Sequence, residues 1–392
     1  MEIIVSLTND VKQFVHVAEE IFKDISSYNY YKDEESIQKF FSSKNPFWQH
    51  AEYKLFIAMQ DNQAVGRMAV IIDSAYNKEN FAKQNFLKPG NQNNWDFGGK
   101  LRKLNFAEFS NQKTAFFGFF EVENNFVITK LFFREALRYL KKKKIRKLIG
   151  PIDGNMFNNV GLLQNNFSLL PEMYMPTNPA YYLEHLEKLK MKKHIDILAY
   201  TIYLPNYQAQ QNKNPDIRIV KFNKKEFDTK IKAVFDIYSE AYGKTKHWLY
   251  YPLSFEEFYY QVKDLKEVLD GELTLVLYYK NAPVGFVYCI PNYNLIADKI
   301  TAKSKFFQML QFLWYKQTIK EARLILICIL PNDEHKRFGT ILANKLLLNL
   351  KKKGFTNCEY SWVLETNTAS RHLAEKLSGK VKNLYRVYEM NL

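Results

Sequence analysis

The sequence predicts an α/β fold in which a similar order of strands and helices occurs twice. Strand-like and helix-like segments alternate along the 392 residues, which favours α/β layers over an all-β fold. Each half has an apolar hairpin with a Val-Gly pair, at Val65-Gly66 and at Val284-Gly285. Each half also has a helix-like segment that ends in a lysine run, at 141–144 and at 351–353. These paired features indicate the duplication of one unit.

Length and composition fit a folded protein of two domains, since a domain usually holds ~100–200 residues. Apolar residues make up 47% of the chain and charged residues 25%, which excludes disorder for most of it. We predict a first domain at 1–205, a linker at 206–216 that is rich in Gln, Asn and Pro, and a second domain at 217–392. The longest unbroken apolar run is Leu324 to Leu330, whereas a spanning helix needs ~20 apolar residues. No transmembrane segment is therefore expected.

The cysteines and the first residues bear on the cellular compartment. Cys289, Cys328 and Cys358 lie in strand-like apolar runs and cannot form a disulfide framework, so we expect them to be buried thiols in a reducing compartment. The segment 1–4 lacks the basic region and cleavage site of a signal peptide. A cytoplasmic protein is expected, and peripheral contact with the inner membrane stays open. No Cys or His pair has metal-ligand spacing, so no metal is expected.

In the first half, residues 1–44 are expected to form a helical lead-in, because apolar residues from Val11 to Phe22 recur at helical spacing. The hairpin is predicted at 53–72. Residues 73–112 are polar and rich in Asn, Lys and Gly, so they predict a long connection. A buried strand, a helix and a short strand are then predicted at 115–122, 127–142 and 147–151.

The second half repeats this order. Its predicted elements are a strand at 217–220, helices at 223–242 and 254–268, a hairpin at 273–290, a buried strand at 324–330, a helix at 339–353, a strand at 359–365, a helix at 368–377 and a last strand at 383–390.

The turn that follows Leu330 carries the most chemical information. It joins a buried strand to a helix, and a helix N-terminus offers unpaired N–H groups and a partial positive charge. Gly339 removes a side chain where a ligand must approach the backbone, and Lys336 and Arg337 add positive charge. This combination predicts a cradle for a pyrophosphate. A purely structural turn is the alternative.

The segment 336–341 resembles the signature of the GNAT family, the acyl-CoA-dependent N-acyltransferases, which is Arg/Gln-x-x-Gly-x-Gly/Ala. Gly339 matches the first glycine, Lys336 stands for Arg or Gln, and Ile341 stands where the last small residue is expected. Asn367 follows the next strand, as in the family. The resemblance extends over nearly the whole chain to a bacterial subgroup with two GNAT-like halves. Its further motifs are Asn45-Pro46-Phe47, Val65-Gly66-Arg67, 117–121, Gly150-Pro151, 178–182, 359–367 and 385–389.

The resemblance implies two tandem GNAT-like domains, each a mixed central β-sheet flanked by helices. It also implies acetyl-CoA or a longer acyl-CoA as co-substrate, with a backbone N–H near Ile329 or Leu330 holding the thioester carbonyl. The loop at 123–129 of the first half has no glycine and no basic residue, so we expect that half to help form the acceptor pocket and not to bind CoA. The residues expected to bind CoA are Leu330, Lys336, Arg337, Phe338, Gly339, Thr340 and Asn367.

Acyl transfer needs a base for the amine and an acid for the leaving thiolate. The tyrosine that often serves as this acid in the family is replaced by Ala374, so Tyr385 or Tyr388 on the last strand is the candidate. Glu365 is the first candidate base, because it lies at the carboxyl end of a central strand, where ligands of α/β proteins bind. Glu121 is its counterpart in the first half. A solvated or salt-bridged strand end is the alternative for both glutamates.

Three functions fit these observations. The first is an acyl-CoA-dependent N-acyltransferase acting on an amine, because the net charge of +15 suits the phosphates of CoA. An aromatic content of 16% suits a long acyl chain or a lipid amine. The second is transfer from aminoacyl-tRNA, in which binding would fall steeply with salt. The third is a non-catalytic ligand-binding protein, which Ala374 and Ile341 favour. The oligomeric state is open.

Overall fold

A computed structural model describes residues 2–22, 34–86, 113–209, 212, 214–245 and 247–392. Thirteen strands in these residues form one sheet. The strands are β1 (Ile3–Thr8), β2 (Ala51–Gln60), β3 (Gln63–Asp73), β4 (Thr114–Val122), β5 (Lys147–Gly150), β6 (Leu162–Leu163), β7 (Lys192–Tyr203), β8 (Ile217–Lys221), β9 (Thr274–Tyr279), β10 (Ala282–Pro291), β11 (Glu321–Ile329), β12 (Asn357–Leu364) and β13 (Lys380–Asn391). The α-helices are α1 (Val11–Phe22), α2 (Glu34–Phe40), α3 (Ser74–Phe86), α4 (Phe126–Lys142), α5 (Tyr181–Lys188), α6 (Phe227–Thr245), α7 (Phe255–Val262), α8 (Leu265–Val268), α9 (Lys305–Tyr315), α10 (Phe338–Lys352) and α11 (Thr368–Lys376).

The two halves of the sheet have the same internal order. The strands follow one another as β1-β2-β3-β4-β5-β13-β7-β12-β11-β10-β9-β8, and β6 pairs with β13. In each half four antiparallel strands are followed by one parallel pair, β4 with β5 and β11 with β12. The predicted α/β class and the predicted repetition are therefore confirmed.

The last strand of each half lies against a strand of the other half. β13 pairs with β5 of the first half, where Tyr388 opposes Gly150. β7 pairs with β12 of the second half, where Tyr203 opposes Asn357. β7 and β13 also pair with each other along nearly their whole length. Backbone hydrogen bonds therefore join the halves. The predicted domains at 1–205 and 217–392 and the predicted linker at 206–216 stay predictions.

A buried ion cluster also joins the halves. His50 Nδ1 lies 3.0 Å from Asp73 Oδ1, and its Nε2 lies 3.2 Å from Glu257 Oε2 on α7. Burial lowers the pKa of His50, but the hydrogen bonds and charges of Asp73 and Glu257 outweigh this effect and raise the pKa to about 9. The Tyr251 hydroxyl donates to the other oxygen of Glu257 at 2.5 Å. An imidazolium between two carboxylates therefore holds α7 to the first half near neutral pH.

Corresponding helices cover the sheet in the two halves. On α4, the residues Ile128, Phe132, Ala136 and Leu140 recur every four positions and are all buried, as an amphipathic helix requires. On α10, Leu342, Leu346 and Leu350 do the same and belong to the core of the second half. Each such leucine contributes roughly 1.5–3 kcal/mol by leaving water. No helix in the described ranges is long and apolar enough to cross a bilayer.

Two predicted elements differ from the structure. The expected helical lead-in is wrong at Ile3–Thr8, which forms the edge strand β1 against β2, because its β-branched residues alternate between the two faces of the sheet. The expected connection at 73–112 begins with α3. Asp73 Oδ1 accepts from the backbone N–H groups of Ala75 and Tyr76 at the start of this helix. Residues 87–112 lie outside the described residues.

We predict that Leu346→Ala lowers the free energy of unfolding by ~2–5 kcal/mol, because it leaves a cavity in the core under α10. Leu348→Ala on the same helix is the matched control, since Leu348 is 40% exposed and its loss should cost about 0.5 kcal/mol or less. Urea unfolding of both variants measures the difference. Equal losses would contradict this account of the core.

Candidate active site

A cavity of about 750 Å³ lies between the two halves. The first half contributes side chains from α1, β3 and β4, and the second half contributes side chains from α6, β10 and β11. Aromatic rings form much of the wall, including Phe40, Phe119, Tyr238, Tyr242, Phe286 and Trp362. A space of this volume and composition is typical of a site for a small molecule with a large apolar part.

Arg67 and Glu121 form an ion pair on the cavity wall of the first half. Arg67 on β3 donates from Nε to Glu121 Oε2 on β4 at 2.6 Å. The same guanidinium donates from Nη1 to the carbonyls of Phe14 and Val15 and lies 5.1 Å from the centre of the Phe14 ring. Arg67 is buried, so its charge fixes the Glu121 carboxylate and the first half of α1 in one arrangement.

Asp153 lies next to this pair, in the turn after β5. Its Oδ1 accepts from the Phe119 N–H at 2.6 Å, and its Oδ2 accepts from Asn159 Nδ2 at 3.1 Å. Burial raises the pKa of Asp153, and the charge of Glu121 raises it further, to about 7. A carboxyl group with this pKa exchanges its proton near neutral pH, which is the property of a general acid or base.

Arg323 brings a second cationic group to the cavity wall, from β11. Its Nε donates to Ser361 Oγ at 2.8 Å, and its Nη1 donates to the carbonyls of Met173 and Tyr174 at 2.7 and 3.0 Å. Ser361 Oγ donates in turn to Glu359 Oε1 at 2.7 Å. Burial raises the pKa of Glu359, although Arg323 opposes that rise. Arg323 therefore ties the cavity wall to a polar network inside the sheet.

The parallel strands β11 and β12 stop pairing where they reach the cavity. Their register ends at Leu324 opposite Tyr360. At this level β11 has a bulge, because Ile325 has no counterpart in its register with β10, and β12 is irregular at 361–362 in its register with β7. Ile325 and Trp362 both line the cavity. The sheet therefore has a gap between these two strands at the cavity wall.

The predicted CoA-binding turn lies at the far end of β11. Leu330 donates its N–H to Val284 O at 2.8 Å, so this amide is engaged within the protein. Lys336 and Arg337 are exposed, and Lys336 Nζ lies 2.9 Å from Asp333 Oδ1 in a solvent-exposed pair of little energetic value. Phe338 is buried at the start of α10 and packs on the Tyr279 ring at 5.2 Å.

The N-terminus of α10 differs from that of its counterpart α4. In α4 the Asn125 side chain accepts from the Val127 N–H at 3.0 Å. In α10 the cap residue Arg337 has a positive φ of 77° and makes no side-chain cap bond. An α10 terminus without a side-chain cap keeps more of its positive potential for a ligand, and a capped α4 terminus has less to offer.

Gly339 and Thr340 are half-buried in the first turn of α10. A Cβ atom at Gly339 would meet Ile329 and Leu373 at 3.8 Å, which is ordinary van der Waals contact. The described structure would therefore accept a small side chain here. Ile341, which replaces the family's small residue, is packed against the core of the second half.

The remaining predicted residues are engaged within the protein. Asn367 Oδ1 accepts from the Ser370 N–H at 3.0 Å and caps α11. Glu365 Oε1 accepts from the Asp196 N–H at 3.0 Å, and its Oε2 lies 2.7 Å from Lys193 Nζ. Tyr385 is buried in the core, where desolvation and the charge of Glu359 raise its pKa well above the usual range.

The structure thus brings one predicted catalytic residue, Glu121, into the cavity, and Glu365 and Tyr385 lie outside its lining. Their catalytic roles stay predictions. Sequence reasoning missed Arg67 and Asp153, which share the cavity with Glu121. An arginine inside the apolar strand after Val65-Gly66 was the available signal for Arg67. Asp153, in contrast, lies in an Asn-rich turn with no catalytic pattern.

The described residues include a group of potential metal ligands at the surface. The ligand atoms of His16, Glu19 and Glu34 lie within 4.8 Å of one another. His16 is 60% exposed in its side chain and lies 3.2 Å from Glu19. Exposed clusters of this kind commonly carry no metal, and we assign none to it.

The family match covers the second half of the chain, and the structural likeness covers the whole chain. Residues 231–379 match the model of the Acetyltransferase (GNAT) family. The solved structure of a tandem GNAT protein from the clavulanic acid biosynthesis pathway aligns with 100% of this chain and 98% of its own, at a TM-score of 0.53 and 10% identity, a likeness that shows the fold. The chain therefore has the fold of a tandem GNAT protein, and its residues 231–379 are similar to the GNAT family.

Two bacterial proteins resemble it over most of their length. Protein YghO of Escherichia coli (strain K12) is 24% identical over 366 residues, which cover 90% of this chain and 85% of that protein. The bacterial ceramide synthase of Caulobacter vibrioides (strain NA1000 / CB15N) is 25% identical over 364 residues, which cover 89% of this chain and 86% of that protein.

We predict that Asp153→Asn changes the pH dependence of stability. Because the pKa of Asp153 is raised on folding, the native chain binds a proton more tightly than the unfolded chain. The stability of the natural protein, measured relative to Asp153→Asn, should therefore be highest below about pH 4 and fall by up to ~1.4 kcal/mol per pH unit until about pH 7. Urea unfolding at several pH values measures this difference. A constant difference between pH 4 and 7 would contradict it.

Proposed function

We propose that the protein is an acyl-CoA-dependent N-acyltransferase whose acceptor is an amine with a long apolar chain. The observation that carries this proposal is the cavity between the halves, where the buried Asp153 and the half-buried Glu121 lie within an aromatic wall. An ammonium group is attracted by carboxylates and by the faces of aromatic rings, whereas an alkyl chain is stabilised by contact with the apolar wall. The name of the Caulobacter relative, a ceramide synthase, supports a lipid amine as acceptor.

In this proposal Asp153 and Glu121 receive the amine. Arg67 balances the charge of Glu121, and Asp153 has a pKa of about 7, so the pair is able to take up one proton near neutral pH. This assignment moves the first candidate base from Glu365, which is tied to Lys193 and Asp196, to the carboxyl group inside the cavity.

The acyl-CoA is proposed to lie along β11. Its phosphates would meet the turn at Lys336, Arg337 and Gly339, and its thioester would reach the gap near Ile325. Five residue steps lead from Ile325 to Leu330, about 17 Å in an extended chain. Two features support this direction: the α10 terminus without a side-chain cap, and the end of the β11–β12 pairing at the cavity wall.

The reaction then proceeds as follows. The ammonium group gives one proton to the Asp153 carboxylate, and the amine nitrogen attacks the thioester carbonyl carbon. A C–N bond forms, the C–S bond breaks, and the second proton of the nitrogen passes to the leaving thiolate of CoA. Asp153 afterwards releases its proton to water, so the products are an amide, free CoA and one proton.

Thermal unfolding with CoA, acetyl-CoA and palmitoyl-CoA tests the donor site. We expect at least one thioester to stabilise the protein, by ~2.7 kcal/mol when its concentration is a hundred times its dissociation constant. Gly339→Trp should abolish this stabilisation, because its ring would fill the approach to α10. Leu348→Trp, on the exposed side of the same helix, is the control and should keep it. If no CoA compound raises the melting temperature, the proposal is wrong.

Release of the CoA thiol in the presence of sphinganine or ethanolamine tests the acceptor site. We expect faster turnover with sphinganine, and a rate that rises with pH through about 7 as Asp153 loses its proton. Asp153→Asn should lower the rate ~10²–10⁴-fold while the melting shift with acyl-CoA persists. Full activity in Asp153→Asn together with its loss in Glu365→Gln would return the base to Glu365.

A further inference from the structure

The helix α9 exposes an apolar surface to water. Its outward side chains are those of Phe306, Phe307, Met309, Leu310, Leu313 and Trp314, and no residue of the helix is buried. Trp314 is 74% exposed and Phe306 is 60% exposed. Single exposed apolar residues are normal in proteins, but six on one short helix mark a surface that another apolar phase covers.

A helix that packs on its own domain turns its apolar side inward, whereas α9 turns its apolar side to water. Its glutamines bond to the segment that precedes the helix: Gln311 Oε1 accepts from the Ala302 N–H at 3.0 Å, and Gln308 Nε2 donates to Ala302 O at 2.9 Å. One ring, Phe312, packs inward on Tyr293 at 5.2 Å. These contacts hold the helix so that its most apolar side faces away from the molecule.

Lysines flank α9 on both sides along the chain, and α9 itself has no acidic residue. Five lysines occur in the helix and its flanking turns, namely Lys299, Lys303, Lys305, Lys316 and Lys320. All five are exposed, and among the described residues none of them forms an ion pair. An exposed apolar stripe with several exposed lysines near its ends in the chain is complementary to a bilayer surface, which has anionic headgroups above an apolar interior.

We propose that α9 (Lys305–Tyr315) docks the protein on an anionic lipid bilayer, with the helix axis in the plane of the headgroups. Eleven residues make a helix of about 16 Å, so α9 is too short to span a bilayer but long enough to lie in the interface. A second copy of the chain fits less well. Pairing two such helices would bring like charges together, and one short helix offers less area than the ~800 Å² per partner of a stable interface.

The position of α9 would bring a docked bilayer close to the cavity. α9 packs on the turn Tyr293–Lys299, and Asn294 in this turn lines the cavity. A bilayer at α9 would therefore lie one turn of chain away from the cavity wall. A role for this closeness in catalysis rests on the proposed function, whereas the docking itself does not.

Co-sedimentation with vesicles tests the proposal. The vesicles contain phosphatidylcholine alone or with 30% phosphatidylglycerol. We expect binding to the anionic vesicles, at least tenfold weaker in the variant Phe306→Ser/Leu310→Gln/Trp314→Ser. The variant Lys303→Glu/Lys305→Glu/Lys316→Glu should lose the preference for phosphatidylglycerol. A variant with apolar residues removed elsewhere on the surface, Leu7→Gln/Tyr203→Ser/Leu348→Gln, is the matched control and should bind as the natural protein does.

Three results would overturn the proposal. The first is that the natural protein does not bind to anionic vesicles. The second is that the variant Phe306→Ser/Leu310→Gln/Trp314→Ser binds to them as well as the natural protein does. The third is that the protein self-associates without lipid and that, among the variants, only this apolar α9 variant abolishes the self-association. The third result would assign α9 to a contact between copies of the chain. Melting shifts with acyl-CoA in the α9 variants separate this test from the proposed function. Vesicle binding without any acyl-CoA shift would reject only the catalytic proposal.

Discussion

The exchange of the last strands between the halves is the constraint on which the rest of the structure depends. Because β13 lies between β5 and β7, and β7 lies between β13 and β12, one set of backbone hydrogen bonds runs through both halves. The ion cluster of His50, Asp73 and Glu257 adds a side-chain link at the same junction. A cavity between the halves therefore has walls of fixed relative position, although its side chains come from parts of the chain more than 200 residues apart.

This fixed junction allows two units with the same strand order to line one cavity with different chemical groups. In the first half, Asn125 caps α4, and the carboxylates of Glu121 and Asp153 turn into the cavity. In the second half, α10 lacks a side-chain cap, and β11 and β12 separate at the cavity wall. One half thus supplies charge that suits a cation, and the other supplies a helix terminus and an opening that suit an anionic thioester.

The α/β class and the repetition of the strand order could be predicted from the sequence because both depend on local patterns. The hairpins around Val65-Gly66 and Val284-Gly285 and the lysine-terminated helices are visible within short windows, and the structure has them. The edge strand at Ile3–Thr8 was missed, because helical spacing further along was extended over it. Of the carboxyl groups in the cavity, the sequence indicated Glu121 as a catalytic candidate but not Asp153. Asp153 gains its character from burial beside Glu121, and no spacing in the sequence shows that two such residues meet.

The strand exchange also affects how the protein is made. β5 and β7 are synthesised long before β13, which must come to lie between them. Until residues 380–391 have left the ribosome, each of these two strands presents unpaired N–H and C=O groups along one edge. Such edges are templates for pairing with the wrong strand. The first half is therefore not able to complete its sheet before β13 has been synthesised, and the edges of β5 and β7 stay open to wrong pairing until then.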